Sequence, residues 1–116
     1  MPNRESQRTG QWVSVVGQLR RRYLETLLLG SENEAERVIR DAIEAGAPEG
    51  VIDAEVIAPG MRVIGDLWEA GAITVADEHL ATQISTRVIA LQREAFRAAR
   101  RRADTRVLLL GLEGEQ

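Results

Sequence analysis

The chain has 116 residues, of which 44% are hydrophobic and only 3% aromatic, and its formal net charge is −3. This length allows one small domain with an aliphatic core, and the acidic balance argues against direct nucleic-acid binding. The absence of cysteine excludes disulfides, thiolate zinc sites and thioether-linked chromophores, and a single histidine excludes a di-iron bundle.

Residues 1–10 are polar and are expected to form a disordered lead. They do not have the pattern of a signal peptide. No apolar run approaches the roughly 18 residues that a membrane-spanning helix needs. We therefore expect a cytoplasmic protein that makes no contact with membranes.

The first two predicted helices follow this lead. Apolar side chains recur at helical spacing at Trp12, Val16, Leu19, Tyr23 and Leu27. This periodicity predicts a helix over 11–29 that Gly30 ends. Ser31 is then expected to cap a second helix, with Glu34 three residues later in the capping-box position, and Gly46 is expected to end that helix.

A third helix is predicted over 48–70, with a proline in its interior. Pro59 removes one backbone hydrogen bond and therefore predicts a kink. This kink either only curves the helix or opens an apolar space beside Met61, Ile64 and Trp68. The spacing alone leaves both interpretations open.

The fourth predicted helix runs over 75–102. Gly71 is placed to end the third helix, and Thr74 with Asp77 three residues later resembles a capping box for the fourth. Short loops make successive helices antiparallel neighbours. The sequence therefore predicts an all-α, up-down-up-down four-helix bundle over residues 11–103.

The final segment changes in character. Residues 105–111 read Thr-Arg-Val-Leu-Leu-Leu-Gly, a short continuous apolar run that is typical of a buried parallel strand. A parallel strand needs neighbouring strands, which this chain does not encode. We therefore expect residues 104–116 to begin a further domain whose other strands are not encoded in this chain.

Three functional side chains cluster around the predicted third loop. Trp68 lies in the last turn of the third helix, and Glu78 and His79 lie in the first turns of the fourth. The positive end of the helix dipole favours an ionised Glu78 and a neutral His79, whose lone pair can bind a metal. Taken alone, each residue is also explained as a core tryptophan, a helix-dipole partner or a surface histidine.

Trp68, nine intervening residues and then Glu78-His79 resemble the Trp-x9-Glu-His signature of the B12-dependent photoreceptor family of the CarH and LitR type. The resemblance covers roughly residues 27–111. It implies a helical bundle that covers the upper axial face of adenosylcobalamin and takes part in light sensing and transcriptional regulation. It further implies a sensor and not an enzyme. It also implies that residues 104–116 are the first strand of a truncated Rossmann-like domain, the remainder of which is a partner of the bundle.

The resemblance also implies roles for individual side chains. Trp68 is expected to pack against the adenosyl group, and Glu78 to accept hydrogen bonds from it. His79 is expected to bind the cobalt of cobalamin in the upper axial position once light has removed that group. The full set of expected cofactor-contacting residues is Trp68, Glu78, His79, Met61, Ile64 and Val75.

Other functions remain open from the sequence. The bundle could instead be the cap of a corrinoid methyl-carrier protein, bind haem or a non-covalent bilin, or bind a protein partner. It is also open whether this chain binds a cofactor without the Rossmann-like domain. An apolar surface meant for a cofactor and a partner domain favours self-association, so we expect a homo-oligomer.

Overall fold

The computed structural model describes residues 4–114, with the side chains of residues 11–111. Every regular element in this range is helical. The elements are α1 (Arg4–Leu29), α2 (Glu32–Glu44), α3 (Glu49–Ile52), a π-helical segment (Asp53–Ile57), α4 (Ala58–Glu69) and α5 (Val75–Gly114). Because α3, the π-helical segment and α4 are continuous, the predicted four-helix bundle is confirmed. α1 starts earlier than predicted, so residues 4–10 are helical, and residues 1–3 lie outside the described range.

Glycine in the left-handed conformation ends three of the helices, as predicted. Gly30, Gly46 and Gly71 have φ angles of 68°, 88° and 72°. At each of these glycines the next backbone N–H donates to a carbonyl five residues earlier, as in the bond from Ala72 to Leu67 of 2.8 Å. The predicted Ser31 cap also forms, since the Glu34 N–H donates to its hydroxyl at 3.3 Å. The short loops that result make successive helices antiparallel.

One aliphatic core runs along the bundle. It is built mainly from β-branched and leucine side chains of all four bundle helices, with Tyr23 completely buried near its centre. The Tyr23 hydroxyl lies 2.7 Å from the Ser85 hydroxyl, which joins α1 to α5. Burial raises the pKa of Tyr23 to about 12, although the hydrogen bond to Ser85 opposes this rise. Tyr23 therefore stays protonated and its hydroxyl is satisfied inside the core.

The π-helical segment is the local response to Pro59. Proline has no N–H to donate to the carbonyl four residues earlier, which belongs to Glu55. The Arg20 side chain takes that place, because its Nε donates to the Glu55 carbonyl at 2.7 Å and its Nη2 to the Glu55 carboxylate at 2.8 Å. The effect of Pro59 on the helix is thus a local change of pitch. The Arg20 side chain of α1 supplies the hydrogen-bond donor that proline lacks.

Replacing Arg20 by methionine is expected to lower the free energy of unfolding by about 1 kcal/mol, because the Glu55 carbonyl loses a charged donor at a partly exposed site. Arg21→Met is the matched control, since Arg21 is the exposed neighbour in the same arginine run. Urea unfolding monitored by circular dichroism measures both variants. Equal midpoints for the two variants would show that Arg20 does not stabilise the π-helical segment.

The predicted strand at residues 105–111 is wrong, because α5 continues as a helix through these residues. Four successive apolar side chains there, Val107, Leu108, Leu109 and Leu110, are 57–68% exposed. A strand would need a second strand for its backbone hydrogen bonds, and residues 4–114 contain none, whereas a helix satisfies these groups internally. Residues 115–116, the end of the predicted strand segment, lie outside the described residues.

Candidate functional site

The α4–α5 loop, residues 70–74, is held by hydrogen bonds at both ends. At its start, the Gly71 N–H donates to the Trp68 carbonyl at 3.0 Å. At its end the predicted capping box forms in both directions: the Thr74 N–H donates to Asp77 at 3.0 Å, and the Asp77 N–H donates to the Thr74 hydroxyl at 3.1 Å. The loop therefore fixes the ends of both helices and with them the side chains on either side.

We call the end of the bundle that carries this loop, with Trp68, Glu78 and His79, the loop end. The α1–α2 loop lies at the same end, because a β-carbon added to Gly30 would lie 2.8 Å from the Leu80 side chain of α5. Several large apolar side chains of these helix ends are exposed: Leu28 51%, Leu29 81%, Trp68 46%, Val75 66% and Leu80 42%. The loop end thus carries several exposed apolar side chains.

The buried face of α4 emerges from the bundle at Trp68. Gly60 and Ile64 lie on this face and are buried, and Trp68, four residues further along, is half exposed. Residues four apart share a helix face. Trp68 therefore continues the core stripe beyond the point where the other helices cover it, with part of the indole free to contact a ligand or another domain.

Glu78 and His79 lie near the start of α5, each hydrogen-bonded to a residue one turn later. The Thr82 hydroxyl donates to Glu78 Oε1 at 3.1 Å, and Gln83 Nε2 lies 3.4 Å from His79 Nε2. Glu78 is half-buried and His79 is exposed. Sequence reasoning missed Thr82 and Gln83, although their i+4 spacing from the two signature residues was a usable signal.

The remaining predicted contact residues divide between the surface and the core. Val75 is 66% exposed at the first turn of α5, beside the loop. Met61 is partly buried and packs against the core, and Ile64 is 1% exposed within it. Neighbouring helices cover the Ile64 side chain in this structure, and its predicted contact with a cofactor stays a prediction.

The metal-binding side chains at the loop end are few. Among the residues whose side chains are described, no group of three or more His, Cys, Asp or Glu side chains could hold a bare metal ion. One exposed imidazole can supply a single axial ligand to a metal already held in a macrocycle, and an exposed indole can cover a flat apolar surface. The residues at the loop end therefore fit a tetrapyrrole-type cofactor.

Replacing Thr74 by alanine is expected to cost about 1 kcal/mol of stability, because the α5 cap loses its hydroxyl acceptor. The hydrogen bonds from the Thr74 backbone and side chain also lower the pKa of Asp77 below its ordinary value of 3.8. Stability from this carboxylate is fully present above that ordinary value and is lost as the pH falls through the lower folded value.

Urea unfolding of the wild type and of Asp77→Asn between neutral and acidic pH tests the cap. The difference between the two proteins should shrink as the pH falls below 3.8. A difference that stays constant with pH would show that the Asp77 charge does not contribute to the cap.

No helix among the described residues is long and apolar enough to cross a membrane. No curated protein matches the sequence. The sequence profile of the family described as "B12 binding domain" matches residues 19–92, which is more than half of the chain and includes Trp68, Glu78 and His79. The chain therefore belongs to the B12-binding domain family, as a helical cap.

Proposed function

We propose that this bundle covers the upper axial face of adenosylcobalamin in a light-responsive regulatory protein, and that it acts as a sensor and not as a catalyst. The observation that carries the proposal is the half-exposed Trp68, where the core stripe of α4 emerges at the loop end. The family match supports cobalamin as the cofactor. The Glu78-His79 pair supports the narrower proposal of light sensing.

Each residue at the loop end has a chemical task in this proposal. Trp68 offers an apolar, flat surface for the upper ligand and excludes water from it. Glu78 keeps lone pairs beyond the one that accepts from Thr82, so it can accept hydrogen bonds from hydroxyl or amine groups of that ligand. His79 has an imidazole lone pair that can bind the metal.

Cobalamin would supply a cobalt–carbon bond that light can break. The residues of this chain would distinguish whether the upper ligand is present, because Trp68 and Glu78 would hold that ligand and His79 would bind the metal in its absence. We propose that a Rossmann-like domain holds the other face of the cofactor. Movement of the bundle relative to that domain would then carry the signal to a transcriptional output.

An absorbance titration in the dark with adenosylcobalamin, followed by green light, tests this proposal. We expect binding in the dark and, after illumination, the spectrum of cobalt bound by an imidazole. In His79→Ala the light should still break the cobalt–carbon bond, but the lit-state spectrum should be that of cobalt with a bound water. Arg93→Ala, an exposed position on the same helix, is the control and should behave as the wild type. Binding without a light-dependent change that requires His79 would contradict light sensing and favour the cap of a corrinoid methyl-carrier protein.

We also propose that the chain self-associates through the loop end, because several large apolar side chains are exposed there and exposed apolar patches drive association. Sedimentation velocity over a range of concentrations should show a dimer or a higher oligomer. Leu29→Asp should shift the equilibrium towards monomer, because Leu29 is 81% exposed at this end. Val13→Asp, 60% exposed on α1 and distant from the loop end, is the matched control. A monomer at the highest concentration would contradict self-association.

A further inference from the structure

Two parallel side-chain contacts connect the first turns of α5. Thr82 and Gln83 are adjacent, as are Glu78 and His79, and each later residue reaches back one turn to its partner. The contact between Thr82 and Glu78 leaves the second carboxylate oxygen available. The contact between Gln83 and His79 involves Nε2, the ring nitrogen farthest from the backbone and therefore the one best placed to reach a ligand.

The chemistry of the Gln83 amide decides how this contact works. An amide nitrogen only donates, so His79 Nε2 must accept and the ring proton must lie on Nδ1. The structure shows the two nitrogens in contact and does not show the ring proton, so the Nδ1–H tautomer is a prediction that solution measurements can test. In this arrangement the lone pair of Nε2 is already engaged at 3.4 Å.

We propose that Gln83 is a positioning residue whose hydrogen bond to His79 Nε2 occupies the lone pair until a metal replaces it. We call this competition the reserve role of Gln83. Gln83 fixes the Nδ1–H tautomer, orients the ring along α5 and must release Nε2 before that nitrogen can bind a metal. The metal-binding half of this inference depends on the proposed function, whereas the tautomer half does not. Gln83 thus weakens metal binding by His79, because the metal must displace the amide hydrogen bond from Nε2.

Nitrogen-15 NMR of the imidazole tests the tautomer directly, because the chain has a single histidine and therefore a single imidazole signal set. At a pH where the ring is neutral, the wild type should favour the Nδ1–H form. Gln83→Leu should lower the Nδ1–H to Nε2–H ratio about two- to tenfold, the range that one modest hydrogen bond supports. Gln83→Glu should reverse the preference, because a carboxylate accepts from Nε2–H.

Thr82→Val is the matched control, since it removes the neighbouring contact to Glu78 and leaves Gln83 in place. It should keep the wild-type tautomer ratio. The same ratio in the wild type, Gln83→Leu and Gln83→Glu would overturn the positioning role.

Ligation is tested separately with aquacobalamin as the probe, by following the absorbance change as imidazole replaces the bound water. We expect Gln83→Leu to bind through His79 about two- to tenfold more tightly than the wild type, because no hydrogen bond must be released. Thr82→Val should match the wild type, and His79→Ala should show no ligation. Equal affinity in the wild type and Gln83→Leu would overturn the reserve role.

The two experiments separate this inference from the proposed function. If no variant shows ligation that depends on His79, the proposed metal-binding function fails and the reserve role fails with it. The NMR ratios still decide whether Gln83 fixes the tautomer. If ligation requires His79 but is insensitive to Gln83, the proposed function stands and the inference about Gln83 is wrong.

Discussion

Replacing Ile64 by alanine is expected to lower the free energy of unfolding by about 2–5 kcal/mol, because the change removes buried apolar atoms and leaves a cavity. Ile64 is 1% exposed on the core face of α4. A small domain has only about 5–15 kcal/mol of stability in total, so this single change removes a large part of it. Urea unfolding followed by circular dichroism gives the value.

The same variant separates a core role from a cofactor-contact role for Ile64. Val63→Ala is the matched control, because Val63 is the adjacent position on α4 but is 37% exposed, and its expected effect is about 0.5 kcal/mol or less. If Ile64→Ala were as stable as Val63→Ala and weakened only cobalamin binding, Ile64 would contact the cofactor and its placement in the core would be wrong.

Replacing Gln92 by glutamate is expected to destabilise the bundle by about 3–5 kcal/mol at neutral pH, because it buries a charge without a compensating partner. Gln92 on α5 is 1% exposed and its Nε2 donates to Asp53 at 3.1 Å and to the Glu49 carbonyl at 3.3 Å. A glutamate would replace this donor by an acceptor beside two acceptors. In the wild type the Gln92 Oε1 atom has no hydrogen-bond partner, so no donor is in place to bind a carboxylate at this position.

The pH dependence of this destabilisation has a definite sign. Burial beside Asp53 raises the pKa of the introduced carboxyl above the ordinary glutamate value of about 4.3. The loss of stability should therefore be small below that value and grow as the pH rises. Gln92→Met, which has no charge, is the control and should show no such dependence. A loss that is independent of pH would contradict the burial of a charge at this position.

The local elements of this fold were predictable because local chemistry determines them. Each predicted glycine stop adopts a positive φ, and Thr74 and Asp77 form the capping box that their spacing indicates. These features depend on three or four neighbouring residues and on no distant contact. The position of the α4–α5 loop followed from them.

The conformation at the end of α5 was predicted wrongly because the local sequence does not determine it. A continuous apolar run over 105–111 is compatible with a strand or a helix, and periodicity cannot separate the two. The structure continues the helix because the preceding Arg100–Thr105 segment contains no glycine or proline to stop it. Strand formation depends on a partner outside the local sequence.

Contacts between residues that are distant in the sequence could not be predicted from local patterns either. Arg20 lies in the run Arg20-Arg21-Arg22, which gives no local sign that its side chain donates to the Glu55 carbonyl that Pro59 leaves without its usual donor. The Tyr23–Ser85 hydrogen bond joins residues 62 positions apart. The division of α4 between a buried Ile64 and a half-exposed Trp68 depends on where the neighbouring helices end. Periodicity places both residues on one face of the helix but does not indicate how far the neighbouring helices cover that face.

The central claim, that cobalamin binds at the loop end against Trp68, is tested most directly by NMR of the two tryptophan indole N–H groups. Trp68 is half exposed at that end, whereas Trp12 packs against the core from α1. On addition of adenosylcobalamin in the dark, the Trp68 signal should shift or broaden while the Trp12 signal stays in place, with Trp68→Phe assigning the signals. A shift confined to Trp12, or no change in either signal at saturating cofactor, would contradict the account.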